Sequence, residues 1–190
     1  MFKVLHRWLM VAAALLLISG CTSRLNVAEI LQQPQNKTVR TYCNLWYDDD
    51  RNINCMNYQT GKILPWGTEV NVTEVTKSKI TFTANGVEFR IQYYPEWTMI
   101  PVESYIRQTF TLKTRAELGK GVAPKVLDEI DRGRIVKGMT RDEVSLCCGW
   151  PVACRTPSRT NDTWIYWTDH FTTIRVVFKN NKVVDVLSLQ

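Results

Sequence analysis

Cysteine is the residue type with the greatest chemical potential in this chain. The sequence has six cysteines, and three of them stand close together in the stretch GMTRDEVSLCCGWPVAC, residues 138–154. A thiol can serve as a nucleophile, as a metal ligand or as half of a disulfide. The choice depends on the compartment, because disulfides persist in oxidising environments and are rare in the cytosol.

The amino-terminal residues, MFKVLHRWLMVAAALLLISGC, predict export. Lys3 and Arg7 form a basic region, and the apolar run that follows, residues 8–18, is too short to span a bilayer comfortably. The run ends in small residues directly before Cys21, which is the pattern of bacterial lipoproteins. We therefore expect residues 1–20 to be a lipoprotein signal peptide and Cys21 to carry the lipid, each acyl chain contributing about 0.8 kcal/mol per buried CH2. An ordinary cleaved signal and an uncleaved anchor are the alternatives.

The residue after Cys21 bears on the destination of the protein. Thr22 stands where an aspartate would resemble an inner-membrane retention signal, so similarity to lipoprotein sorting rules favours the periplasmic face of the outer membrane. Removal of the signal peptide takes away Lys3 and Arg7, which lowers the formal net charge of +6 by two. The remaining basic charge is modest, and this compartment excludes nucleic acid as a partner.

The other five cysteines would then lie in an oxidising compartment. Cys43 and Cys55 flank a plausible hairpin loop, and a bond across it would stabilise the fold by about 2–3 kcal/mol. Cys147 and Cys148 project about 100° apart on a helix and are poor partners for each other. One of them can bond Cys154 across the following turn. The choice is close, and we favour Cys148 because it starts that turn.

Metal and enzyme chemistry have less support in the sequence. Apart from His6, the only histidine is His170, in YWTDHFTT, where a turn between strands is expected. Without a nucleophile motif beside it, we predict no enzymatic activity. A zinc site built from the cysteines and His170 matches no standard ligand spacing. The stretch YDDDRNIN is spaced like a calcium loop, but Ile53 stands where glycine is needed, so we expect a polar turn and neither metal nor cofactor.

Aromatic residues are numerous in the first half of the chain. Some of them could line a binding groove, because Tyr and Trp give large contact areas at low entropic cost. The alternative is that they are half-buried strand residues. The residues concerned are Trp46, Tyr47, Trp66, Tyr93, Tyr94 and Trp97.

The elements that would position these residues fall into two sets. Between residues 38 and 112 the signals are of strand type, with alternating apolar residues in TEVNVTEV, KITFTA and VEFRIQY. Asn85-Gly86 is a strong hairpin signal, because both residues tolerate the positive φ of a type I′ turn. ESYIRQTFTL, residues 103–112, could supply a closing strand. Short strands with tight turns predict a small barrel.

The last third of the chain begins with a helical pattern. GVAPKVLDEI has one apolar face, and Pro124 is suitably near the start of a helix. Thr140 as N-cap and Glu143 as its capping-box partner predict a second helix, which Gly149 is placed to end. TWIYW, TTIRVVFK and KVVDVLSL then predict three antiparallel strands, the last two joined by a turn at residues 180–181.

Two parts of the chain resemble known families. LPWGTEVNVTEV and KITFTANGVEFRI are similar to the bacterial SH3-like barrel. The C-terminal residues resemble the SmpA/OmlA family, the BamE-like domain, whose pattern is G-M-T-x-x-E-V, G-x-P, W-x-Y and V-x-F-x-x-x-K-V. The matching residues are Gly138, Met139, Thr140, Glu143, Val144, Gly149, Pro151, Trp164, Tyr166, Val176, Phe178, Lys182 and Val183.

The resemblance implies a small periplasmic ααβββ domain, usually carried by an outer-membrane lipoprotein. The best-known member is an accessory subunit of the outer-membrane β-barrel assembly machinery, and a related fold occurs in a secreted inhibitor of β-lactamase. We therefore expect an α+β fold in which a small SH3-like β-barrel, residues 38–112, precedes a BamE-like ααβββ domain, residues 113–190. A tether, residues 21–37, would join them to the lipid.

The function expected from these features is non-enzymatic. A scaffold or accessory factor in cell-envelope assembly or maintenance would work through protein–protein contacts, possible partners including the outer-membrane assembly machinery. A module that binds peptidoglycan or a peptide is one alternative, and a protein inhibitor of an envelope hydrolase is another. The family motif itself consists of capping, helix-ending and core residues, so it predicts architecture and not chemistry.

Overall fold

The computed structural model describes residues 25–35 and 37–189. The predicted signal peptide and the predicted lipidation site at Cys21 lie outside the described residues. The helices of the described part are α1 Val27–Ile30, α2 Pro95–Thr98, α3 Val102–Thr109, α4 Arg115–Leu118, α5 Pro124–Asp131 and α6 Arg141–Cys148.

The strands are short and make four small sheets. Their bounds are β1 Arg40–Thr41, β2 Leu45–Tyr47, β3 Asn52–Asn54, β4 Lys62–Leu64, β5 Asn71–Val75, β6 Lys79–Ala84, β7 Val87–Gln92, β8 Phe110–Thr111, β9 Thr163–Trp167, β10 Thr173–Lys179 and β11 Lys182–Leu189. The largest sheet has the order β3-β7-β6-β5, and a second has the order β11-β10-β9. The remaining strands form the pairs β2-β4 and β1-β8.

The predicted fold class is wrong, because no barrel closes among the described strands. The four-stranded sheet is open, with β3 and β5 as its edges, and β3 joins it in parallel beside β7. The expected closing strand, residues 103–112, is mostly the helix α3, and within it only Phe110 and Thr111 form a strand, which pairs with β1. The chain is instead a strand-rich mixed fold of four sheets and short helices, not an SH3-like barrel followed by a BamE-like domain.

Local turn signals correctly mark where hairpins occur. Asn85 and Gly86 both have positive φ, 51° and 76°, and join β6 to β7. Asn180 and Asn181 have φ of 51° and 61° and join β10 to β11. These backbone conformations match the type I′ requirement that makes Asn and Gly favourable at both positions.

The start and end of α6 are also as the sequence predicts. The Thr140 hydroxyl accepts from the backbone N–H of Glu143, while the Glu143 carboxylate accepts from the backbone N–H of Thr140, so a capping box is present. The helix ends at Gly149, which has φ +78°. A Cβ at that position would lie 3.1 Å from the Cys43 sulfur, so a larger residue would both strain the backbone and press on the core.

Two clusters of buried apolar side chains form the interior. The first is centred on the four-stranded sheet and α3, and includes Ile53, Ile80, Phe82, Ile91 and Ile106. The second packs α5 and α6 on the three-stranded sheet, and includes Ile130, Met139, Val144, Trp164, Val176 and Phe178. Trp46 and Trp66, from the first half of the chain, also belong to the second cluster. The two halves are therefore interlocked through these tryptophans.

The described part of the predicted tether lies against the body of the protein. Val27 is buried, and Leu25, Ile30 and Leu31 pack on the first core cluster. The side chain of Arg107 donates to the carbonyl oxygen of Ile30 at 3.1 Å. From Leu25 onward the chain is thus held by the fold. None of the described helices is long and apolar enough to cross a bilayer.

Candidate functional site

One concave feature of the described residues is a groove of about 280 Å³, called here the aromatic groove. It is bounded by aromatic rings on several sides and by two carboxylates. The residues used below to define it are Asp48, Tyr58, Tyr94, Trp97, Asp169 and His170. They come from the β2–β3 turn, the loop after β3, the start of α2 and the turn between β9 and β10.

Pairs of rings set the walls of the groove. Tyr94 is the N-cap of α2 and Trp97 lies within that helix, so their ring centroids are only 4.4 Å apart. On the other side, Tyr58 and His170 meet edge to face at 4.8 Å, and the Tyr58 hydroxyl is 3.5 Å from Nδ1 of His170. His170 is exposed in a strand turn, as the sequence predicts.

The two carboxylates of the groove are held by their own turns. The Asp169 carboxylate accepts from the backbone N–H groups of Phe171 and Thr172, at 2.7 and 2.9 Å, and from the Thr172 hydroxyl. These bonds, led by the Thr172 hydroxyl, lower the pKa of Asp169 below its ordinary value. Asp48 accepts from the backbone N–H of Asn52 at 2.8 Å.

The charge of the groove is one-sided. Neither Lys nor Arg lines it, and within residues 25–35 and 37–189 no ion pair involves Asp48 or Asp169. Burial raises the pKa of the Tyr58 phenol, and the negative groups near it, including Asp169, act in the same direction. The phenol is therefore neutral at physiological pH, and the groove carries negative charge from its carboxylates.

Large apolar side chains project into solvent beside the groove. Phe171, next to His170 at the tip of the β9–β10 turn, is 92% exposed. Met99, which ends α2 with a left-handed backbone, is 65% exposed, and Trp97 is 39% exposed. Phe171 follows the groove residue His170, and Met99 lies two residues beyond the groove residue Trp97. Exposed apolar side chains next to the lining of a concave site are a usual mark of an interaction surface.

The predicted aromatic residues divide between this surface and the interior. Trp66 and Tyr93 are fully buried in the core and do not line the groove. Tyr94 and Trp97 line the groove, joined by the buried Trp46. Tyr58 and His170 complete the walls, although the sequence offered no spacing that linked them to Trp97.

The cysteines form a second notable feature, inside the protein. Cys43, Cys55, Cys147 and Cys148 are buried, Cys154 is exposed, and all five are free thiols. The sulfurs of Cys147 and Cys148 are 3.5 Å apart. Burial raises the pKa of Cys43 to about 12 and that of Cys55 to about 11. Because the thiolate is the reactive form, neither is poised as a nucleophile.

Cys43 and Cys55, which were predicted to pair across a hairpin loop, do not lie on the two strands of a hairpin. The hairpin that should bring Cys43 to Cys55 is absent, because β2 pairs with β4 whereas β3 pairs with β7. Cys43, Cys55 and Cys148 instead line one cavity of about 30 Å³. The bonds Cys43–Cys55 and Cys148–Cys154 stay predictions. Among the described residues no cluster of His, Cys, Asp and Glu could hold a metal.

Two asparagines that the sequence analysis missed organise this interior. The Asn44 side chain donates to the carbonyl oxygen of Ile130 at 2.6 Å and accepts from the backbone N–H of Trp66 at 3.0 Å. The Asn57 side chain donates to the carbonyl oxygens of Asn44 and Cys148, at 2.9 and 3.0 Å. A polar residue between apolar ones, as in YCNLW, was the available signal, since a buried amide needs partners.

The residues of the family-like motif serve the second core. Met139, Val144, Trp164 and Phe178 are buried there, and so is Tyr166, whose hydroxyl donates to the carbonyl oxygen of Gly149 at 2.9 Å. Gly138 has φ +92° and donates its N–H to Val183 at 2.8 Å. Pro151 lies beyond the end of α6 at the edge of a further cavity. Each of these contacts is structural.

No family model matches the sequence, and neither the characterised proteins nor the solved structures give a match.

Proposed function

We propose that this chain is a lipid-anchored protein of the cell envelope, held at the periplasmic face of the outer membrane, that acts without catalysis by binding another protein. One structural observation supports the binding role: Trp97, Met99 and Phe171 expose large apolar surface beside the aromatic groove. Aromatic residues and Met are enriched in the centres of protein–protein interfaces.

The proposed location at the outer membrane is inferred from the sequence. The signal-like residues 1–20 and Cys21 support export and lipidation, and the resemblance of residues 138–183 to the SmpA/OmlA pattern supports the same location. In this role the protein is a scaffold or accessory factor for envelope assembly or maintenance. Binding of a cell-wall glycan or a free peptide in the same groove is the second candidate, since amide side chains such as Asn54 and Gln92 line it next to the rings.

Site-specific photocrosslinking in intact cells tests the proposal. A photoreactive phenylalanine analogue would replace Phe171 in the groove surface, and in a matched control it would replace Leu187, an exposed apolar residue of β11. We expect a discrete protein adduct from position 171 and none from position 187. Identical adducts from both positions, or none from either, would contradict the proposal. Attachment of position 171 to the cell wall would favour the second candidate.

A further inference from the structure

We infer that the aromatic groove binds a cationic side chain, a lysine or an arginine, of the partner protein. This inference rests on the proposed function and adds the chemistry of recognition to it. The groove brings together two features that attract a positive charge: aromatic rings and the carboxylates of Asp48 and Asp169.

The rings are the first observation. A cation within about 6 Å of a ring centroid is attracted by the negative face of that ring. Tyr58, Tyr94 and Trp97 surround one small volume, and Trp97 remains partly exposed, so a side chain can enter from solvent. The volume of about 280 Å³ is near the lower end for ligand pockets, which suits one side chain better than a large cofactor.

The second, independent observation is that arginines cover aromatic rings elsewhere in the described chain but not in the groove. Arg115 lies 4.0 Å from the ring centroid of Trp66, and Arg159 lies 3.7 Å from that of Trp150. Arg141 and Arg155 similarly cover rings of Phe178 and Trp167. In the described part of the chain, no arginine or lysine covers Tyr58, Tyr94 or Trp97.

The carboxylates of Asp48 and Asp169, like the rings of the groove, have no cationic partner among the described residues. Carboxylates elsewhere pair with cations of the chain, such as Asp49 with Lys62 at 2.9 Å and Asp185 with Lys137 at 3.0 Å. Asp48 and Asp169 are bonded only by neutral donors of their own turns, according to the contacts of the described residues. A carboxylate has about four lone-pair sites, so Asp169 can accept a further bond from an ammonium or guanidinium group.

The side chains that would contact a cation are already held in place by contacts within the protein. The three hydrogen bonds to Asp169 fix its carboxylate, and the packing of Tyr94 on Trp97 fixes those rings. An incoming cation therefore meets a site that is already ordered, so less conformational entropy is lost on binding.

The test compares two probes that differ by one ammonium group. N-acetyl-lysine amide and its uncharged counterpart, N-acetyl-norleucine amide, would be titrated into the full mature chain, with the indole N–H signal of Trp97 followed by NMR and assigned with Trp97→Phe. We expect a saturable shift with the lysine probe and binding about fivefold or more weaker with the norleucine probe, as one cation–π contact predicts. Equal affinity for the two probes, or no saturable shift, would overturn the inference.

Variants locate the binding site. Asp169→Asn and Asp48→Asn should each weaken binding of the lysine probe about fivefold, whereas Asp50→Asn, in the same turn as Asp48 but outside the groove, should leave it unchanged. If Asp169→Asn does not fold, Asp48→Asn and the two-probe comparison still decide. An equal effect of Asp50→Asn would show that general surface charge, and not the groove, attracts the probe.

Failure of the inference and failure of the proposed function are distinguishable. A protein adduct from position 171 without lysine-probe binding would leave the proposed function and remove the cationic partner group. Probe binding without any protein adduct would do the reverse.

Discussion

The side-chain amide of Asn44 donates a 2.6 Å hydrogen bond to the carbonyl oxygen of Ile130, which lies 86 positions later in the chain. Asn44 has no solvent exposure, so water cannot take over either of its contacts. Its side-chain oxygen accepts from the backbone N–H of Trp66. One buried side chain thus joins the segment before β2, the turn after β4 and the last turn of α5.

Replacing Asn44 should destabilise the fold severely. Asn44→Ala leaves the Ile130 carbonyl and the Trp66 N–H buried without partners, and we expect it to lower the free energy of unfolding by about 3 kcal/mol. Asn71→Ala, at an exposed strand position, is the control and should change stability by less than about 0.5 kcal/mol. Urea unfolding followed by circular dichroism measures both. Equal midpoints for the two variants would show that the buried network contributes little.

The reduced, folded protein should expose one thiol to alkylation. We expect iodoacetamide to modify Cys154 first, because it is the exposed one of the five described cysteines, whereas Cys43 and Cys55 are buried with raised pKa. Mass spectrometry of timed samples reports the order, and unfolding in urea should make all five described cysteines reactive. Early alkylation of the Cys43 thiol in the folded protein would contradict its burial.

Disulfide mapping of protein isolated from the envelope without reduction is a separate test. We predict a peptide pair that joins Cys43 to Cys55, and a second that joins Cys148 to Cys154. Five alkylatable thiols in the isolated mature chain would end the disulfide prediction. A bond from Cys43 to Cys148, which share a cavity, would replace the predicted pairing with one between the two halves of the chain.

Alkaline pH should destabilise the reduced protein through its buried thiols. The Cys43 pKa is about 12 in the fold and 9.0 in the unfolded reference, so above pH 9 the unfolded chain releases a proton that the fold retains. The stabilising contribution is complete below pH 9 and is lost as the pH rises towards 12. We expect the free energy of unfolding to decline over that range, and less steeply for Cys43→Ala. Urea titrations at several pH values measure the two slopes, and parallel slopes would contradict the assignment to Cys43.

Membrane attachment should depend on Cys21. Cys21→Ser should abolish incorporation of labelled fatty acid and release the protein into the periplasmic fraction, because the acyl chains supply the attachment energy. Cys154→Ser is the matched control and should stay with the membrane. Continued retention of Cys21→Ser in the membrane fraction would refute the lipid anchor.

Short-range sequence signals predicted local structure well. The capping box of Thr140 and Glu143 and the turn at Asn85-Gly86 are formed as expected, because their geometry is set by neighbouring residues. The predicted closing strand failed for an identifiable reason. Val102, Tyr105, Ile106 and Thr109 are spaced i, i+3, i+4 and i+7, so the same stretch fits a helix, and short apolar runs do not decide between the two.

Long-range pairing could not be read from the sequence. The parallel register of Ile53 with Ile91 joins β3 to β7 across the intervening strands β4, β5 and β6, and nothing within β3 itself specifies that partner. The groove has the same origin, since Tyr58, Trp97 and Asp169 meet only after the chain has folded. Aromatic residues were recognisable as candidates, but their selection depends on tertiary contacts.

The hydrogen bond between Asn44 and Ile130 joins residues that are synthesised several seconds apart. A ribosome adds about 5–20 residues per second, so Asn44 leaves the peptidyl-transferase centre roughly 4–17 s before the carbonyl that will satisfy it, given the separation of 86 positions. Trp46 throughout that interval, and Trp66 from its own synthesis onward, also lack the apolar surface of α5 and α6 that will cover them. The nascent chain therefore carries unpaired amides and uncovered indoles for seconds. A holding chaperone that recognises the region around β2 would be most needed in that window.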